Sequence, residues 1–470
     1  MIAPSLHPDS VSAACERRRR WAFGLTARSI GLLLVGFVWL VPGFWDWRLA
    51  FAMPAWDALV LIFALLDGLR LPAAGELVAS RSWSNAPALN SETEIELTVE
   101  NRGRTIVECR LVDDLPPALV AEPETLRLTA FPRVPASLRY HVQPKERGDW
   151  ETGWLYVRYR SPLGLAERWA RAPLTQTVRI YPALRGGEEQ KIFLARSRQI
   201  DLQLRRSQLR GLGRDFESLR DYREGDDLRD ICWTATARRG TPLTRQYQTE
   251  RSQPVWIVID CGRLMRARVA VSLSTKEPNS AANHSKLDYA CTTAVALAQL
   301  ALYSGDRVGL LAYGQGIQQR LLPGRGAAHM RQLIESLAQL RAETSEADHL
   351  RATATLNRLQ PRRSLILWVT DLAETAMRPE VIDGALQLLR RHVLLFVAMA
   401  QPEVELIART RPRNVEQMFR AAAAQEMAGR RELLLARLHE QGALTFDLNP
   451  QALTASVLNQ YLTVKERAMV

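Results

Sequence analysis

Pro254-Val255-Trp256-Ile257-Val258-Ile259-Asp260 carries an unbroken apolar run, Val255 to Ile259, that ends in a carboxylate. A strand with one wet face alternates polar and apolar residues, whereas a continuous apolar run is covered on both faces. Such strands form parallel sheets packed between helices. Outward from this segment the chain alternates accordingly. Lys286 to Tyr303 reads as a helix, Arg307 to Tyr313 as a strand, and Ala327 to Leu340 and Leu350 to Leu359 as helices. Ser364 to Thr370 is a second apolar strand, again followed by a carboxylate, Asp371. Pro379 to Arg391 reads as a helix and Val393 to Met399 as a strand. An Ala-rich helix from Asn414 to Gln441, a short strand Ala443 to Phe446 and a helix from Pro450 follow. The pattern predicts a doubly wound α/β domain over residues 251–470. Ligands of such sheets sit outside the carboxyl ends of the strands, so Asp260 and Asp371 are the first candidate site residues.

Upstream the texture is different. Glu94-Ile95-Glu96-Leu97-Thr98-Val99-Glu100 alternates with the period of a half-buried strand, and Asn101-Arg102-Gly103 reads as a turn. Arg104 to Leu111, Ala136 to Val142 and Trp154 to Tyr159 repeat the pattern between Pro- and Gly-containing turns. An antiparallel β-sandwich over residues 71–184 is expected.

Before the sandwich, Trp21 to Val41 and Leu49 to Leu66 are apolar stretches, each long enough to cross a hydrocarbon layer of roughly 30 Å. The turn between them, Pro42-Gly43-Phe44-Trp45-Asp46-Trp47, carries aromatics suited to headgroups. No small-residue cleavage site follows the first stretch, which argues against a signal peptide. Arg17 to Arg20 precede the first stretch, while Arg70 and Arg81 follow the second. Both ends therefore point to the cytoplasm. The expectation is a basic tail (1–20), a transmembrane hairpin (21–70) and cytoplasmic domains on an inner membrane. Arg28 and Asp57, one in each stretch, either pair across the hairpin, since charge at membrane depth is costly alone, or lie near the span ends with Arg28 snorkelling to the headgroups.

The chain has 62 Lys and Arg against 50 Asp and Glu, a formal charge of +12, spread without a basic stripe interleaved with aromatics. That favours proximity to anionic lipid over nucleic acid. Five cysteines without C-x-x-C spacing fit neither a disulfide framework nor a zinc site. No Walker loop, His-Glu-x-x-His or Gly-x-Ser-x-Gly occurs.

The connecting segment, residues 185–250, holds the most distinctive stretch: Leu219-Arg220-Asp221-Tyr222-Arg223-Glu224-Gly225-Asp226-Asp227-Leu228-Arg229-Asp230-Ile231-Cys232-Trp233, continuing to Arg238-Arg239. Charges of both signs surround Gly225, with Tyr222, Ile231 and Trp233 as apolar anchors. The pattern suits either an internal ion-pair clamp or forks that pair bidentately with a partner. This stretch closely resembles the signature of the bacterial family called domain of unknown function 58. Ser161-Pro162-Leu163-Gly164-Leu165, Tyr181-Pro182 and Ser304-Gly305-Asp306-Arg307-Val308-Gly309-Leu310 are also similar to the family. The resemblance implies a von Willebrand factor A-like fold and a functional link to MoxR-type AAA+ ATPases.

Von Willebrand factor A domains often bind Mg²⁺ through an Asp-x-Ser-x-Ser loop with a distant Thr and Asp, which satisfies a hard cation with oxygen ligands. Here the loop reads Asp260-Cys261-Gly262-Arg263-Leu264, so Gly262 and Leu264 replace both serines. Asp371 matches the distant carboxylate and either Thr344 or Ser345 the threonine, and Arg263 is placed to pair with Asp260 or Asp371. No cofactor is expected, with weak or no Mg²⁺ binding at the degenerate loop. The reading is a non-enzymatic, membrane-anchored adaptor for a MoxR-type ATPase and other membrane proteins. Partner contact is expected at Asp260, Arg263, Asp371, Arg223, Asp226, Asp227, Arg229, Trp233 and Arg238. The rival is a metal-dependent hydrolase using Asp260 and Asp371.

Overall fold

The structure, a computed structural model, describes residues 10–17, 23–43, 51–123, 125–183, 195, 215–223, 231–248, 253–270, 283–372 and 379–467. The chain divides into two compact units, Met1–Ala183 and Leu184–Val470. It is a mixed α/β protein with several sheets.

In the first unit, two sheets enclose one apolar core. The five-stranded sheet runs, in spatial order, Val11–Ala14, Leu77–Trp83, Thr93–Asn101, Pro135–Pro144 and Leu119–Glu122. The six-stranded sheet includes Glu16–Arg17, Ala166–Ala172, Leu155–Arg160, Val107–Asp113 and Leu126–Ala130, with Phe23–Leu25 also pairing to Ala166–Ala172. Thr93–Asn101 alternates buried and half-buried residues along its whole length, as the sequence alternation requires. Ile95, Leu97 and Val99 meet Leu111, Val157 and Tyr159 of the other sheet in one core. Each fully buried aliphatic chain of this kind contributes roughly 1.5–3 kcal/mol.

The residues assigned to a basic tail differ from expectation, because Val11–Ala14 pairs with Leu77–Trp83 and Glu16–Arg17 with Ala166–Ala172. Cys15 between them is buried, so the tail is tied down by the core it helps to cover. Phe23–Leu25 is likewise a strand, and the first apolar helix begins only at Ala27, capped by Thr26. It runs Ala27–Gly36 and continues as the short turns Phe37–Trp39 and Leu40–Gly43. The second helix, Ala52–Arg70, is long and apolar enough to cross a membrane. The two helices pack together. Trp56 Nε1 donates to Leu32 O (2.8 Å), and a Cβ on Gly36 would sit 2.6 Å from Asp57 Oδ1.

The expected Arg28–Asp57 pair does not form. Because the helix starts six residues later than expected, Arg28 lies in its first turn, where Nη1 reaches Leu163 O (3.3 Å). The loop Ser161 to Leu165 grips the base of both helices. Asp67 accepts from Ser161 Oγ (2.6 Å) and from the amides of Leu165 and Ala166 (both 3.1 Å). Thr26 N donates to Leu165 O (3.2 Å). Gly164 has φ +66°, and a Cβ there would lie 3.2 Å from Arg28, so this position calls for glycine.

The second unit is built on a six-stranded sheet in the order Ile317–Gly324, Arg307–Tyr313, Pro254–Asp260, Leu365–Thr370, Val393–Met399, Leu444–Leu448. All neighbours are parallel except the edge strand Ile317–Gly324, which is antiparallel and absent from the sequence expectation. One face, with Trp256, Val258, Trp368 and Phe396, packs on helices His349–Leu359, Pro379–Leu389 and Val415–Glu440. On the same sheet, helix Lys286–Tyr303 packs against Pro254–Asp260 and Arg307–Tyr313, and also meets helix Leu453–Glu466. The signature region folds in this unit as strand Asp215–Asp221 paired to Leu243–Gln248, with helix Trp233–Arg239 between them.

Candidate functional site

Asp260 and Asp371 end adjacent parallel strands, so strand direction alone brings both carboxylates to one crevice. Asp260 is 4% exposed and Asp371 fully buried. Asp260 Oδ1 accepts the Gly262 amide (2.7 Å) and Oδ2 accepts the Thr370 hydroxyl (2.6 Å). Burial nonetheless pushes the Asp260 carboxyl above the ordinary carboxylate range, against the opposing pull of His349, Thr370 and Gly262.

Asp371 is held by cations. Lys286 Nζ donates to Oδ2 at 2.6 Å, Gln401 Nε2 donates to the same oxygen at 3.1 Å, and Arg431 Nη1 lies 3.4 Å from Oδ1. Arg431 also grips Asp447 with two parallel bonds, 2.9 and 2.7 Å. Burial lowers the Lys286 pKa, and Asp371 opposes that shift. Lys286 is the first residue of its helix, directly after the N-cap Ser285 of the Ser285–Asp288 capping box, where the helix dipole disfavours a cation. Asp371 supplies the charge that this placement lacks. Beside Asp260, Trp368 Nε1 donates to the Tyr313 hydroxyl (2.7 Å), which lies 2.9 Å from His349 Nδ1.

Several sequence-derived residues lie elsewhere than expected. Arg263 does not pair with Asp260 or Asp371. It is exposed and faces Glu346 at 3.6 Å, because the loop 341–348 lies along the Asp260 loop through Glu343 N to Cys261 O (2.7 Å) and Arg263 N to Ser345 O (2.9 Å). That close approach depends on Gly262, whose Cβ would stand 2.9 Å from Ala347 N. Thr344 is exposed, and the hydroxyl on Asp260 belongs to Thr370. Trp233, expected as an anchor, is 67% exposed, whereas Ile231 and Cys232 beside it are buried. Arg223 and Arg238 are exposed, and Asp226, Asp227 and Arg229 lie outside the described residues.

Sequence reasoning missed Lys286 and Arg431. Both left a trace. Ser285 and Asp288 mark a capping box that fixes Lys286 at the helix start, and Arg431 stands in the buried stripe Ala421, Ala424, Leu434, Leu438.

A divalent cation at this crevice does not fit the residues present. Both oxygens of Asp371 face nitrogen donors, both oxygens of Asp260 accept hydrogen bonds, and the loop serines are replaced by Gly262 and Leu264.

Comparison with known families bears out the resemblance in the sequence. Residues 218–407 match Protein of unknown function DUF58. The DUF58 match takes in the signature stretch, Asp260, Lys286 and Asp371, and leaves Arg431 and Asp447 beyond its end. An uncharacterized protein of Mycobacterium tuberculosis (strain ATCC 25618 / H37Rv) is 27% identical over 201 residues. That alignment covers 42% of this chain and 58% of the relative's length. Among solved structures, the conserved hypothetical protein BatB from Bacteroides thetaiotaomicron is similar at TM-score 0.27 and 14% identity, over 45% of this chain and 99% of that one. The VWA domain of SpRpn10 is similar at TM-score 0.24 and 13% identity, over 44% and 95%. At such scores the fold rests on the strand pairing above.

Proposed function

We propose that this protein is a membrane-anchored, non-enzymatic interaction module with a von Willebrand factor A-like unit, working with a MoxR-type AAA+ ATPase in the assembly or maturation of other proteins. The observation that carries the reading is the Lys286 ammonium on the buried Asp371 carboxylate, 2.6 Å away. A hydrolase using Asp260 and Asp371 needs carboxylates open to a metal or a water, and these two are engaged and buried. Asp260 and Asp371 therefore hold the site from inside, and a partner meets the exposed side chains of Arg263, Trp233 and Arg238.

Anchoring is supported by the apolar surface of the two N-terminal helices. Leu34, Val38, Ile62 and Leu65 are each more than half exposed, which in water costs the hydrophobic effect and in lipid does not. The helices form a hairpin whose soluble attachments face the cytoplasm of an inner membrane, in keeping with the basic flanks.

Affinity capture of the full tagged chain from its native membranes, after crosslinking, tests the proposal. An AAA+ ATPase retained by the wild type and lost with Trp233→Ala plus Arg263→Glu is the expected result. Substrate turnover by the purified full chain, abolished by Asp260→Asn, is the result that overturns it.

A further inference from the structure

The outward face of the six-stranded sheet in the first unit carries a row of arginines. Strand register sets Arg110 directly opposite Arg127 on one neighbour and directly opposite Arg158 on the other. Like charges in direct cross-strand opposition destabilise a sheet unless a counter-charge lies among them. Arg158 has one, with Glu167 at 2.7 Å, and two residues further along the same face Arg160 has Glu108 at 2.8 Å. Arg110 and Arg127 are exposed and, among the described residues, have neither hydrogen bond nor ion pair.

These four arginines line a recess of about 400 Å³. Among the described residues its only carboxylates are Glu108 and Glu167, both already engaged, so the recess keeps two uncompensated positive charges. Thr26 and Ala27 also line it, which places it at the root of the first apolar helix. Ile30 (49%) and Leu34 (61%), one and two turns further along that helix, are exposed.

We propose that this recess binds the phosphate of an anionic membrane lipid, with Arg110 and Arg127 as the phosphate-binding pair and the acyl chains along the exposed side of helix Ala27–Gly36. The inference rests on the membrane-anchored reading above. Guanidinium forks match phosphate oxygens, and two uncompensated arginines opposite one another are a site preformed for an anion. The adjoining apolar helix surface selects a lipid over a soluble phosphate, because it accepts the chains that a soluble phosphate lacks.

The test uses the full chain purified in a neutral detergent. Thermal unfolding is followed with short-chain phosphatidylglycerol, phosphatidylcholine or inorganic phosphate added. Wild type is expected to gain Tm with phosphatidylglycerol only. The double variant Arg110→Gln/Arg127→Gln is expected to bind phosphatidylglycerol at least about tenfold more weakly, since both basic contacts to the phosphate are gone. With no lipid present it is expected to melt above wild type, since the opposed charges are gone, a rise that loss of a merely structural contact does not produce. Equal responses of wild type and variant to phosphatidylglycerol overturn the site. An equal response to inorganic phosphate overturns the lipid assignment in favour of a free anion. Flotation of the full chain with phosphatidylcholine vesicles separates the two levels. A chain that floats but shows no lipid selectivity sinks the recess alone, whereas a chain that does not float sinks the anchoring and the recess with it.

Discussion

Each unit of this chain buries an ion-pair network, one centred on an arginine and the other on a lysine assisted by an arginine. In the sandwich, Arg81 is fully buried and pairs with Asp113. It also donates to Thr152 Oγ1 (2.7 Å) and Leu174 O (2.8 Å), while the Tyr140 hydroxyl donates to Asp113. In the α/β unit, Lys286 meets Asp371, and the network continues through Arg431 to Asp447, which is one-third exposed. A guanidinium stays charged whatever surrounds it, whereas an ammonium sheds its proton when burial is severe enough. The sandwich network is therefore fixed in charge and closed. The strand-end network is adjustable and reaches the surface at Asp447.

The largest expected effect comes from breaking the closed network. Asp113→Ala leaves Arg81 charged and uncompensated in the core, and should cost about 3–5 kcal/mol in denaturant unfolding of the full chain. Asp371→Ala leaves Lys286 in the same predicament, but burial already lowers its pKa and the proton can leave. Its cost should be smaller, about 1–3 kcal/mol, and should shrink as pH rises towards the ordinary lysine range. Equal losses at all pH values would erase the distinction between the networks.

A smaller effect concerns pH in the wild type. The Asp260 carboxyl is raised by burial, so between the ordinary carboxylate value and its folded value the native state holds a proton that the unfolded chain has released. Stability therefore falls as pH rises through that window. Buried Asp306, also raised, adds to the same fall. Asp260→Asn should flatten the slope in a pH series of melting curves, and an unchanged slope would remove Asp260 from the account. The smallest effect belongs to the rim. Glu346→Ala takes away the 3.6 Å partner of exposed Arg263 and should shift stability by no more than about 0.5 kcal/mol.

Much of the α/β unit was legible because its strands announce burial on both faces. Helix Lys286–Tyr303 and strands Arg307–Tyr313 and Val393–Met399 stand at the residues that periodicity indicates. The edge strand Ile317–Gly324 was not legible, since Gln318 and Gln319 are polar and the strand needs only one neighbour. Phe23–Leu25 read as part of a membrane span because apolarity reports dryness and does not say whether lipid or protein provides it. At the site, the two aspartates were visible as strand ends. Their cations were not, because Lys286 and Arg431 come from helices 85 and 60 residues away in sequence from Asp371, and neither obeys the rule that keeps charge out of buried positions.

Lys286 and Arg431 occupy the carboxylate that a metal would otherwise need. Calorimetric titration of the full chain with Mg²⁺ tests it most directly. No binding tighter than about 1 mM, the weak end of carboxylate sites, is expected. Tighter binding that disappears in Asp260→Ala or Asp371→Ala contradicts it.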